Sequence, residues 1–242
     1  MRLKPVGRVC AVRDSPTRKP DRGNGSTLWV HEMFVTIQGE GPLVGTKAVF
    51  IRLGGCNLAC NWCDTVYEGS SWWPTIDEIV TRADSLNVDS PMDRHVVITG
   101  GEPLRQEVGP LISELLTLGY HVQIETSGSL WPRLGVPEGA MIVVSPKTPK
   151  VHPKIKERAS AWKYVLEAGR ILSDGLPDAS PTGGISAPVA RPPVGSDVYV
   201  QPCWPISGDE SQAQSNTDQA VRSVLMHGYR LSLQTHRILG LP

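Results

Sequence analysis

The sequence predicts an α/β fold, a single-domain incomplete (β/α) barrel of about six to seven strands with few helices. Three observations carry this. Short and nearly continuous apolar runs recur along the chain, as strands of a parallel sheet covered on its faces do. Helical patterns fall between some of these runs, which argues for right-handed strand–helix–strand crossovers. Only three of those patterns are strong, too few for a closed barrel with one helix after each strand.

The strand-like runs are Ala48–Leu53, Arg94–Thr99, His121–Glu125, Met141–Ser145, Trp162–Leu166, Asp197–Gln201 and Tyr229–Gln234. The first helix opens on Pro74 and Thr75, and Thr75 with Glu78 makes a capping-box pattern ahead of Ile79, Val80 and Ala83. The second carries Leu111, Ile112, Leu115 and Leu116 before Gly119. The third carries Ala220, Val221, Val224 and Leu225 before Gly228.

Outside a core domain over 28–242, residues 1–27 read as a flexible basic tail. Arg2, Lys4, Arg8, Arg13, Arg18, Lys19 and Arg22 stand there against Asp14 and Asp21, with no hydrophobic period. A Pro/Gly-rich stretch at 173–196 reads as a surface loop, because strand-like sequence resumes directly after it.

The 242 residues carry 24 Lys+Arg and 24 Asp+Glu, a formal net charge of zero. Such a balance gives no global field for a nucleic-acid backbone, so a small-molecule substrate is expected and no direct nucleic-acid partner. No apolar run approaches the roughly 18 residues of a membrane span. The N-terminus lacks the apolar stretch of a secretory signal, so a reducing, cytoplasmic location is expected.

Cys56, Cys60 and Cys63 form a C-x3-C-x2-C array just after the first strand. Thiolates at this spacing can converge on one soft metal centre. Structural zinc would need a fourth ligand, and no His or Cys lies close in sequence to supply it. An iron–sulfur cluster, zinc and inert buried thiols stay open on spacing alone. Cys10 and Cys203 stand apart and receive no role.

Further motifs surround the array. Ile37-Gln38-Gly39-Glu40-Gly41 precedes it and Asp64-Thr65 follows its last cysteine. Thr99-Gly100-Gly101-Glu102-Pro103, Glu125-Thr126-Ser127-Gly128, Ser145-Pro146-Lys147, Gln201-Pro202 and Gln234-Thr235-His236 then come in order. The array resembles the signature of the radical S-adenosylmethionine superfamily. The whole set, over about residues 30–242, resembles the 7-carboxy-7-deazaguanine synthase family within it. Only the 173–196 stretch matches nothing in that family.

The resemblance implies a barrel of the radical S-adenosylmethionine type and a carbon–nitrogen lyase. Its reaction would convert 6-carboxy-5,6,7,8-tetrahydropterin to 7-carboxy-7-deazaguanine with loss of ammonia, in 7-deazapurine (queuosine) biosynthesis. A [4Fe–4S] cluster on Cys56, Cys60 and Cys63, S-adenosylmethionine and Mg2+ are the implied cofactors. A homodimer and a flavodoxin- or ferredoxin-like electron donor are the implied partners.

Residue roles follow the same resemblance, each beside a plainer reading. Gly100, Gly101 and Glu102 would form the cofactor's amino-group region; an isolated Gly-Gly would be an ordinary tight turn. Ser127, Ser145, Lys147 and Gln201 would hold its ribose and carboxylate, where each alone is a surface polar residue. Trp62 would pack near adenine, or serve as a core aromatic.

Gln38, Gly39 and Glu40 would take the pterin edge, with donors and acceptors suited to an aminopyrimidine; a polar turn is the alternative. Arg52, on an apolar strand, needs an anion, either the substrate carboxylate or a protein carboxylate. Thr65 offers a hard oxygen of the kind magnesium prefers. Asp64 and Thr99 would touch substrate, and an Asp64-Thr65 turn is the plain alternative. The strand ending at Gln234 would deliver His236 to the same rim. Six extended residues, reaching roughly 20 Å, would then bring the Pro242 carboxylate to the substrate. A frayed terminus is the competing reading.

Two other identities compete. A glycyl-radical activase shares the cysteine motif but should carry extra ferredoxin-like cysteines. A metal-binding module without catalysis would use the thiols for structure alone.

Overall fold

A computed structural model describes residues 16–60, 62–87, 94–179, 188–205 and 207–242. Eight strands form one sheet in the order of the chain. They are β1 (Val30–Ile37), β2 (Lys47–Leu53), β3 (His95–Gly100), β4 (His121–Thr126), β5 (Met141–Val144), β6 (Ala161–Leu166), β7 (Val198–Pro202) and β8 (Arg230–Leu231). β1 runs antiparallel to β2, with Val30 opposite Leu53 and Ile37 opposite Lys47. Every later neighbour is parallel. Among the described residues β1 and β8 do not pair, so the barrel is open on that side.

The helices are α1 (Ile76–Leu86), α2 (Gly109–Thr117), α3 (Pro153–Arg158), α4 (Glu210–His227) and α5 (Thr235–Ile238). α1 begins on the expected capping box, Thr75 and Glu78 satisfying each other's backbone amides. α4 ends at Gly228, whose φ of 71° belongs to the left-handed region that glycine adopts freely.

The period-two alternation of the strands sorts side chains between two faces. One face is apolar throughout: Val49, Ile51, Val96, Ile98, Val122, Ile124, Ile142, Val144, Trp162, Tyr164, Val198 and Val200 pack against Ile79, Ala83, Leu111, Ile112, Leu115 and Ala220. The other face encloses the barrel. Its lower layer is a small apolar plug of Val143, Ala161 and Tyr199 with Met141. Above the plug the same face presents Glu125, Lys163 and Gln201, so it changes from apolar to polar within one pleat.

The seven expected strands are present as β2–β8, and the sheet holds one more. β1 carries His31 and Glu32, and most of its side chains are only partly buried, so it lacks the continuous apolar signature of the interior strands. The C-terminal strand is a correction. β8 spans only Arg230–Leu231, and Thr235–Ile238 forms a helical turn where extended chain was expected. Its backbone closes further through Leu241 N to His236 O at 2.8 Å.

Residues 16–27, expected within the flexible tail, lie against the core. Arg18 N donates to Cys56 O at 2.6 Å and Asp21 N to Arg105 O at 2.7 Å. Arg18 also pairs with Glu68 at 2.9 Å. Residues 1–15 of that tail, and 180–187 of the Pro/Gly-rich stretch, lie outside the described residues. The rest of that stretch is anchored: Leu176 and Val189 are buried, Tyr164 Oη donates to Ala190 O at 2.8 Å, and Arg191 pairs with Asp174 at 2.6 Å. No helix among the described residues is long and apolar enough to cross a membrane.

Candidate active site

A cavity of about 520 Å³ opens at the C-terminal ends of the parallel strands, where such sheets build their sites. Its wall gathers Gln38, Gly39, Glu40, Arg52, Cys56, Cys60, Trp62, Cys63, Asp64, Thr65, Thr99, Gly100, Gly101, Ser127, Ser145, Lys147, Gln201, His236 and Pro242. These are all the residues singled out in the sequence except Glu102.

One side is the loop that follows β2. Burial pushes the Cys56 thiol up to about 12 and the Cys63 thiol up to about 11, and raises Cys60 as well. Among the described residues no three His, Cys, Asp or Glu side chains converge on a single ion. A polynuclear cluster makes a different demand, one thiolate for each of several irons, and three soft donors spread over one wall meet it. Backbone approach also explains the glycines. A Cβ on Gly100 would lie 2.2 Å from Leu53 O, and one on Gly101 2.3 Å from Gly55 O. The loop backbone is therefore pressed against the end of β3, and only glycine fits the contact.

Glu102 is buried just behind the cavity wall. Its fully buried carboxylate accepts from Leu104 N, Thr126 Oγ1, Ser127 N and Ser127 Oγ. It holds the Thr126-Ser127 turn, and Ser127 rather than Glu102 faces the cavity. Lys147 folds back on Ser145, with its Nζ 2.9 Å from Ser145 O and its charge 5.1 Å from the Trp62 ring centre. Burial lowers the Lys147 ammonium, and the Cys60 thiol opposes that shift.

The floor is ionic. The Lys163 ammonium lies between the Glu40 and Glu125 carboxylates, 2.6 Å from Glu125 Oε2 and in contact with Glu40 Oε2. Burial alone would raise the Glu40 carboxyl; the Lys163 charge and hydrogen bond, with His236 and Gln234, more than offset this and hold it low. Gln201 donates to Glu40 Oε1 at 3.2 Å, which ties it to the floor.

Arg52 meets a protein carboxylate, its Nε bonding Glu32 Oε1 at 2.8 Å. Its guanidinium lies 5.5 Å from the Phe34 ring centre, and its terminal nitrogens make no hydrogen bond among the described residues. Thr65 Oγ1 donates to Asp64 Oδ1 at 3.2 Å. Gln234 and Arg237 hold the other oxygen of Asp64 at 3.1 and 3.0 Å. His236 sits where a Gly39 side chain would be, its Nδ1 2.1 Å from that Cβ position. Burial lowers its imidazole below the ordinary value, so it is neutral near pH 7. Thr36 Oγ1 donates to Pro242 O at 3.2 Å, which ties the last residue to β1 at the cavity edge.

Lys163 and Arg237 were not singled out in the sequence, and Glu125 and Gln234 stood there only inside motifs, without a role. The signal for Lys163 was present: a lone cation inside the run Ala161–Leu166, where charged side chains are almost never buried without a partner.

Fold and thiol wall together define a class, and comparison with known proteins agrees. Residues 50–182 match the Radical SAM superfamily, whose members work with a [4Fe–4S] cluster and S-adenosylmethionine. The three thiols suit the cluster, and the polar and aromatic side chains of the same cavity suit the cofactor. A 7-carboxy-7-deazaguanine synthase from Rhodospirillum rubrum is 45% identical over 234 residues, 93% of this chain and 97% of that protein. One from Rickettsia prowazekii is 39% identical over 238 residues, 94% of each chain. The crystal structure of QueE from Escherichia coli superposes with a TM-score of 0.61 at 28% identity, covering 86% of this chain and 93% of that one. The chain belongs to the 7-carboxy-7-deazaguanine synthase family.

Proposed function

We infer that the chain works as its family does. It is a 7-carboxy-7-deazaguanine synthase of queuosine biosynthesis, a lyase acting on 6-carboxy-5,6,7,8-tetrahydropterin with loss of ammonia. The observation that carries this is the joining, in one cavity, of a three-thiol wall with an amide-and-carboxylate floor.

When bound, the cluster and S-adenosylmethionine would supply the one-electron chemistry and the radical that abstracts hydrogen from the substrate. Cys56, Cys60 and Cys63 would hold the cluster. Gly100 and Gly101, which let the cysteine loop pack on β3, would present their backbone to the cofactor's amino group, and Ser127, Ser145, Lys147 and Trp62 would provide polar and aromatic contacts for its two ends. Glu40 and Gln38 present acceptors and a donor to the aminopyrimidine edge. The terminal nitrogens of Arg52 and the neutral imidazole of His236 suit the substrate carboxylate, with Pro242, Asp64 and Thr99 completing the contacts. Thr65 would give Mg2+ one hard oxygen, which suffices for an ion that keeps most of its waters.

A homodimer, a flavodoxin- or ferredoxin-like donor and a cytoplasmic location complete the reading. Anaerobic incubation with S-adenosylmethionine, reductant, Mg2+ and the carboxytetrahydropterin tests it by mass spectrometry. The expected product is 7-carboxy-7-deazaguanine. A cluster-loaded enzyme that cleaves S-adenosylmethionine but leaves this pterin unchanged would refute the substrate assignment.

A further inference from the structure

Lys163 is the one charged residue of β6, and it is 4% exposed. Burial lowers the stability of its ammonium, yet Glu125 and Glu40 outweigh this and hold it protonated. The two carboxylates it bridges are fixed from every side. Glu40 Oε1 accepts from Gln201 at 3.2 Å and from Gln234 at 2.8 Å. Glu125 Oε1 accepts from Gln38 at 3.1 Å and from Gln123 at 2.8 Å. The donors come from β4, β6, β7, the turn after β1 and the segment before α5. Only oxygens with remaining lone pairs are left to face a ligand, and the group carries two negative charges against one positive.

We propose that Lys163 is a positioning residue for the substrate: it holds Glu40 and Glu125 as a single acceptor floor of net charge minus one, matched to the neutral N–H edge of the heterocycle. This rests on the pterin reading above. Two adjacent carboxylates without the cation would repel each other and splay, or would take up a proton to restore the same net charge. Other titratable or charged groups near the floor are His236 from α5 and Lys147 from the loop after β5, with Asp64 and Arg237 acting on His236. None of them lies between the two carboxylates.

The test is anaerobic calorimetry on the holoenzyme loaded with cluster and S-adenosylmethionine. The probe is fully oxidised 6-carboxypterin, between about pH 6 and about pH 8, a range in which ordinary carboxylates and lysines do not titrate. Slopes and proton uptake are read relative to wild type, whose own shallow pH dependence comes from His236 and the pterin N–H and is common to every variant. Lys163→Met should bind more weakly as pH rises, by up to about tenfold per pH unit, taking up close to one proton that reveals itself in the buffer dependence of the heat. Lys163→Met combined with Glu125→Gln restores the net charge and should return to the wild-type pH profile. Lys163→Arg keeps the cation and should also keep that profile, which preserves the test if the methionine variant does not fold.

Binding by Lys163→Met that follows the wild-type pH profile, with no proton uptake beyond that of wild type, would overturn the proposal. So would a pH slope in Lys163→Arg steeper than that of wild type. A wild-type holoenzyme that binds no carboxypterin would instead overturn the substrate reading on which the proposal stands.

Discussion

The two sides of the cavity are built in opposite ways. The thiol wall is made from one continuous loop after β2, and burial disfavours the charged form of each of its sulfurs. The floor is made from residues far apart in the chain, and its charges are already paired through Lys163 and hydrogen-bonded by neighbouring amides. Desolvated donors gain most from a bound cation, whereas a satisfied network gains nothing further from one. The wall is therefore completed by its cofactor, and the floor is assembled by folding.

The largest effect that can break this contrast is on the wall. Cys60→Ala leaves two thiols, so bound iron and turnover should both vanish, while the stability of the metal-free chain changes by less than ~0.5 kcal/mol. Iron content equal to wild type would contradict it. On the floor side, Gly39→Ala places a Cβ 2.1 Å from His236 Nδ1 and must displace that ring. A shift of about 1 Å in a positioning group predicts a loss of roughly 100-fold in kcat/KM with iron content unchanged.

Arg105 sharpens the contrast from behind the wall. Its guanidinium donates to Lys19 O at 3.0 Å and to Gly54 O at 3.2 Å, which joins the N-terminal segment to the cysteine loop. Arg105→Met should lower stability by ~2 kcal/mol and speed proteolysis within residues 16–27, as read by urea unfolding and limited digestion. Thr65→Ala should retain cluster and cofactor cleavage but lose the response to Mg2+, on the order of tenfold. An undiminished Mg2+ response would remove Thr65 as a ligand.

The smallest effect is on pH dependence. Glu40 is held below its ordinary 4.5 in the folded chain, so its stabilisation is present above that value and is lost as pH falls through the folded pKa. Lys163 is held above its ordinary 10.5, so its share is present below 10.5 and is lost only in stronger alkali. Urea midpoints should therefore begin to fall below about pH 6.5, where the unfolded chain protonates His31, His95 and His236 ahead of the folded one, and fall further below about pH 4.5 as Glu40 loses its share. Lys163→Met should make that acid decline shallower.

The same contrast decides what could be read from sequence. Cys56, Cys60 and Cys63 share one loop, so their spacing marks a candidate metal-binding array, and the motifs around it, by resemblance, single out the cluster. The parallel strands were legible because burial on both faces makes their runs apolar. β1 was not, since its residues are mostly half-buried and include His31 and Glu32. Lys163 and Glu125 lie 38 residues apart, and only the parity of β4 and β6 brings them to one face. Glu102 stood inside a glycine-rich motif, but nothing in the sequence distinguishes a carboxylate facing a ligand from one holding the next turn. The C-terminal segment failed for a different reason: four residues of helix after a two-residue strand carry no periodic signal.

Hydrogen exchange compared between the metal-free chain and the anaerobically reconstituted enzyme tests the contrast most directly. The account predicts that protection rises in the loop from Gly54 to Tyr67 on cluster loading, while amides of β4 and β6 keep their metal-free protection. Equal gains in β4 and β6 would contradict it, because the floor would then depend on the cofactor as much as the wall does.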